Sequence, residues 1–217
     1  MQNTLLYEKK MFWFKLKLAL FIILLWWLVA VFNMYLGFSL SNFSLKPHNI
    51  SQWFGIFTYP FVHGNLEHLM NNSLSGFLIF ASLFLIYEKI SLKVLLIIYI
   101  VSGLILWFLG QNGSMHIGAS GVIYGVAFFL ILSGFIVGKS ANLAISFFMV
   151  AWYGSMIWGI FPFSVEEGVS WEGHLSGAIV GIILALYFHK ENLLKKKSNS
   201  TDEIEDEFHF FERYPLE

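Results

Sequence analysis

The chain contains no cysteine, which excludes a disulfide framework, a thiol nucleophile and cysteine-ligated zinc, and leaves the redox compartment open. It is short of charge. Only 12% of its 217 residues are charged, where a soluble domain carries about 25%. The net charge of −1 excludes a general nucleic-acid binder. Asp202 and Asp206 are the only aspartates and both lie near the C-terminus, so a pair of membrane-embedded catalytic aspartates is impossible. Proline is sparse, and Pro47, Pro60, Pro162 and Pro215 all fall outside the long apolar runs, as helix sterics prefer.

What is present is apolar. Hydrophobic residues make up 57% of the chain. Six runs, 18–38, 69–87, 94–110, 117–138, 140–160 and 171–188, approach the ~20 residues a membrane span needs. The composition therefore predicts an all-α polytopic membrane protein with six transmembrane helices. The first run follows Lys9, Lys10, Lys15 and Lys17 as a signal peptide would. It is too long for one, holds Trp26 and Trp27 and precedes no small-residue cleavage site, so it reads as a retained helix. In the second run, Asn71, Asn72, Ser73 and Ser75 crowd the start, and such groups need partners inside a bundle.

Of the 13 Lys and Arg residues, all but Lys46 fall on one side of this topology. The positive-inside rule then makes both termini cytoplasmic, and spans two, four and six start at the outer face. The expected organisation is a cytoplasmic segment over 1–17, a membrane domain over 18–190 and an acidic, disordered cytoplasmic tail over 191–217. Residues 39–67 form an aromatic-rich outer loop that belongs partly in the interface. Residues 161–170, with Glu166 and Glu167, form a short outer loop.

Three polar clusters stand out against this apolar background. Gly118-Ala119-Ser120-Gly121 opens span four. Gly121 and Gly125 alone would be a small-residue packing pair, but a serine among glycines at a helix N-terminus also suits a nucleophile. Glycine admits a substrate backbone, and terminal N–H groups can stabilise an oxyanion. Gly173-His174-Leu175-Ser176-Gly177 opens span six, with Gly173, Gly177 and Gly181 on one face. A neutral His174 can be a general base to serine, and Tyr124, one turn below Ser120, can pack on its ring. His68 and Asn72 enter span two stacked on one face, and both can donate to an oxyanion. For His63 a loop-stabilising hydrogen bond is the preferred reading. A zinc site on His63, His68 and His174 ranks lower, since no H-E-x-x-H and no cysteine accompany them. Ser120, His174, His68 and Asn72 come from three spans, and the charge topology puts all four at one depth in the outer leaflet.

These features resemble a rhomboid intramembrane serine protease. The similarity covers roughly 50–190: six spans, a G-x-S-G opening span four with a tyrosine four residues on, H-x-x-x-N opening span two, and H-x-x-G-x-x-x-G in span six. The resemblance implies a six-helix rhomboid-like bundle with Ser120 as nucleophile and His174 as general base. It implies an oxyanion hole from His68, Asn72 and the Ser120 N–H, supported by Gly118, Gly121 and Tyr124, with no metal and no cofactor. Glu88 matches a structural carboxylate. The family often has Trp-Arg in the first outer loop, and here the pair is Trp53-Phe54. The residue before His174, often alanine in relatives, is Gly173. Single-span membrane proteins would be the substrates, in a multi-pass protein (of the plasma or inner membrane, if bacterial) whose site opens outward. Spans two and five with the 161–170 loop would form the gate. Two rivals remain: a catalytically inactive rhomboid-like protein that binds membrane helices, and a small transporter or channel.

Overall fold

The structure, a computed structural model, describes residues 2–37, 39, 42–165 and 168–189. Among the described residues six helical segments are long and apolar enough to cross a membrane: α1 (Gln2–Leu36), α2 (Leu66–Ile86), α3 (Ser91–Leu109), α4 (Ser120–Val137), the span Ser140–Ile160 that α5 (Ser140–Tyr153) opens and α6 (Trp171–His189). A 3₁₀ stretch, Gly154–Ile160, continues α5. The protein is a multi-pass helical membrane protein. The expected tail over 191–217 and the pair Glu166 and Glu167 lie outside the described residues.

The boundary that departs most from expectation is the first. α1 starts at residue 2, not 18, because no glycine or proline interrupts the chain before Gly37. There φ is +61, and the Gly37 N–H closes the helix on Asn33 O at 2.9 Å. The lysines expected to precede the span are part of its helix. One of them, Lys15, pairs with Glu88 at 3.0 Å and ties α1 to the turn between α2 and α3.

α4 is the central element, buried at every residue from Gly121 to Ala127. In a bilayer, helices gain little from hiding apolar surface, since lipid is equally apolar, so small residues that allow close approach carry the association. α4 and α6 meet on such a seam. A Cβ on Gly121 would stand 2.9 Å from Gly173 O, and one on Gly125 3.0 Å from Gly177 O. Cβ atoms on Gly177 and Gly181 would overlap the carbonyls of Gly121 and Gly125. The face predicted from the spacing of Gly173, Gly177 and Gly181 is therefore the contact face, against the Gly121/Gly125 pair. α2 meets α1 similarly, with the Trp26 ring lying over Gly76. The polar start of α2 is partly satisfied within the bundle: Trp27 Nε1 donates to Ser73 Oγ at 3.0 Å, and that hydroxyl donates to Leu69 O at 2.7 Å.

The first loop carries short helical turns at Ile50–Gln52, Gly55–Thr58 and Tyr59–Phe61. It is fastened by an antiparallel bridge, Leu45 to His116 (N···O 3.0 and 2.9 Å), and by Gly55 and Gly103, where any Cβ would strike Ser44 O and Ile56 O respectively. Trp53 and Phe54 both remain at the surface. Backbone pairing and close packing, rather than a charged side chain at position 54, hold this loop.

Candidate active site

The N-termini of α2, α4 and α6 bring the polar clusters together. Ser120 is the first residue of α4, where N–H groups lack intrahelical partners. Its Oγ lies 2.9 Å from His174 Nε2. The other ring nitrogen, Nδ1, is 2.9 Å from Gly159 O. A carbonyl only accepts, so Nδ1 carries the proton of the neutral ring and Nε2 presents its lone pair to the serine hydroxyl. Tyr124 stacks on His174 with centroids 4.0 Å apart and planes 4° from parallel. The ring is thus fixed in plane by Tyr124 and in rotation by Gly159.

Gly159 is a residue that the sequence reading missed. It sits in the 3₁₀ stretch following α5, and a Cβ there would overlap the Tyr124 hydroxyl and stand 3.3 Å from His174 Nδ1. A backbone acceptor leaves no mark in a sequence, and the excluded side chain was the only available signal.

α2 supplies the second half of the site. Asn65 caps it, its Oδ1 accepting from His68 N at 2.7 Å, which sets where His68 leaves the helix. Asn72 lies one turn on and is 7% exposed, and its Nδ2 has no hydrogen-bond partner. Both converge on Gly118. A Cβ on Gly118 would stand 2.5 Å from the His68 ring and 3.3 Å from Asn72 Nδ2, and its φ of +98 is one that L side chains rarely adopt. The Gly118 N–H is held by Tyr59 O at 2.9 Å. A buried amide donor, a histidine and a helix N-terminus therefore surround the approach to Ser120.

Two further histidines frame the site. His63 lies edge-on to His68, centroids 5.0 Å apart, and 5.7 Å from Trp26. The Phe61 backbone lies against its ring, in the place of the expected loop hydrogen bond, and opposes the loss of charge. Packing against two rings holds it, and burial, with the His68 charge second, pushes its pKa down to about 4. His116 contacts Ser170 Oγ at 2.6 Å and Ser114 Oγ at 2.8 Å. Ser170 in turn caps α6, its Oγ accepting from Gly173 N at 3.1 Å. That oxygen would be 2.8 Å from a Cβ at position 173, which makes glycine the better fit here. Among the described residues no three His, Asp or Glu side chains group as metal ligands would.

Comparison with known proteins gives the family. The Rhomboid domain family matches residues 50–191. An uncharacterised protein of Mycobacterium tuberculosis is 32% identical over 73% of this chain and 69% of its own length. One from Mycobacterium leprae is 30% identical over 73% of this chain and 65% of its own. A protein of Acanthamoeba polyphaga mimivirus named as a rhomboid protein is 28% identical over 59% of this chain and 71% of its own.

Proposed function

The chain belongs to the rhomboid family, and from that membership we propose that it is an intramembrane serine endopeptidase working through a Ser120–His174 dyad. The observation that carries the proposal is the 2.9 Å contact between Ser120 Oγ and Nε2 of His174. His174 takes the hydroxyl proton as Oγ attacks a substrate carbonyl carbon. The oxyanion accepts hydrogen bonds from Asn72 Nδ2, the Ser120 N–H and His68. Collapse passes the proton from His174 to the leaving amine, and a water, deprotonated by His174, releases the acyl group from Ser120.

A membrane helix hydrogen-bonds its own backbone, so a substrate must unwind locally to offer a carbonyl. That favours single-span proteins with small, helix-destabilising residues near the scissile bond. Both termini are taken as cytoplasmic and the site as opening outward, on the distribution of lysines. The catalytic unit is the six-helix membrane domain, α1 to α6.

The test is cleavage of a model single-span protein by purified wild type and Ser120→Ala in mild detergent, with products sized by mass spectrometry. Wild type alone should cut, a fluorophosphonate probe should label wild type but not Ser120→Ala, and chelator should leave both results unchanged. Failure of cleavage together with failure of labelling would mark the chain as a non-cutting, helix-binding member of the family.

A further inference from the structure

Away from the dyad, α1 and α3 enclose a groove of about 380 Å³. Leu18, Phe21 and Leu25 of α1 form one wall, and Leu92, Leu95 and Leu96 of α3 the other. Pro60 and Phe61 border it from the first loop, and Ala119, the residue before Ser120, lines it too. The polar atom nearest to disturbing it, the Tyr99 hydroxyl, is spent on Phe57 O. Apart from the Trp26 indole the lining is apolar, so an occupant must be largely hydrocarbon.

The lower end of the groove is different. Lys10, Phe14, Leu18 and Ile22 follow one another at four-residue intervals on α1, as do Lys17, Phe21 and Leu25. Residues so spaced stack along one ridge of a helix. Each ridge begins in a lysine and ends in the groove, and Lys17 stands only about 6 Å along the axis from Phe21. Lys9, Lys10, Trp13, Phe14 and Lys17 lie side by side on the same stretch of α1. Of the neighbouring cations, Lys15 pairs with Glu88 and Lys93 lies 5.4 Å over the Phe188 ring, while Lys9 stands beside Lys10. Glu8 precedes Lys15 by two turns and so lies on that side of the helix, away from Lys10 and Lys17.

We propose that this groove holds one acyl chain of an anionic phospholipid whose phosphate is bound by Lys10 and Lys17. An apolar slot leading to two free lysines beside a tryptophan has the shape and charge order of such a lipid: tail, then interface, then phosphate. The inference does not depend on the chain being a protease.

The experiment uses the full chain, delipidated in neutral detergent and titrated with phosphatidylglycerol or with phosphatidylcholine of the same acyl chains. Native mass spectrometry counts adducts, and thermal melting reports stabilisation. Phosphatidylglycerol should form a one-to-one adduct about tenfold or more tighter than phosphatidylcholine and raise the melting midpoint. Lys10→Gln with Lys17→Gln should lower it to the phosphatidylcholine level. Leu96→Trp, at the half-open rim, should abolish both adducts by filling the groove, and Leu92→Trp should do so if Leu96→Trp fails to fold. Equal binding of the two lipids overturns the proposal. So does a phosphatidylglycerol adduct that survives the tryptophan variants, or a second copy of the chain found in place of lipid.

Discussion

Asn72 is a buried amide whose Nδ2 donates to no other group of the protein, and a buried donor without a protein partner costs roughly 1–3 kcal/mol. A donor kept idle at that cost is explained if its partner forms only during the reaction. Asn72→Ala should then lower kcat about 100- to 1,000-fold while KM changes little, measured on the same model substrate used for wild type. A comparable rise in KM with kcat unchanged would instead make Asn72 a substrate-binding residue. At this scale much was legible in the sequence. Ser120, His174, His68, Asn72 and Tyr124 are side chains in recognisable spacings, and the structure brings them together. What could not be read was the backbone chemistry: the Gly159 carbonyl that sets the His174 tautomer, and the Tyr59 carbonyl that holds Gly118.

Among the elements, the α4–α6 seam decides whether the dyad can form, because Ser120 and His174 sit at the same end of it. Gly177→Val would force a side chain into the Gly121 carbonyl and should cost about 1–3 kcal/mol or more, seen as a lower melting midpoint in detergent. Gly154→Ala is the contrast, since a Cβ there meets only Val150 at 3.9 Å, and its midpoint should stay near wild type. The seam was legible because its glycines recur every four residues. The start of α1 was not. Hydropathy marks where a helix becomes apolar, whereas its ends are set by what breaks it, and nothing breaks α1 before Gly37.

For the molecule as a whole, His63 couples acid to stability. It is neutral in the folded protein, with a pKa of about 4, but should titrate near its ordinary value of about 6.5 when unfolded. Between those values the unfolded state binds the extra proton, so stability is full above about pH 6.5 and falls as pH drops toward about 4. Melting midpoints across that window should decline less steeply for His63→Gln than for wild type. Parallel declines would show that His63 is not among the responsible groups. The six-span architecture was readable from apolar runs alone, but the burial of His63 was not. It depends on Trp26 arriving from α1 and His68 from α2, a three-way contact that no local spacing encodes.

The choice of a carbonyl to orient His174 has an electrical consequence. A carboxylate partner would leave a permanent negative charge beside the dyad, at a high solvation cost within a bilayer. With Gly159 O in that place, Ser120 and His174 are neutral at rest. In the proposed reaction, the proton that leaves Ser120 makes His174 a cation in the same step that makes the substrate oxygen an anion. The dyad and substrate therefore pass through chemistry as a transient dipole, and their summed charge stays at zero throughout.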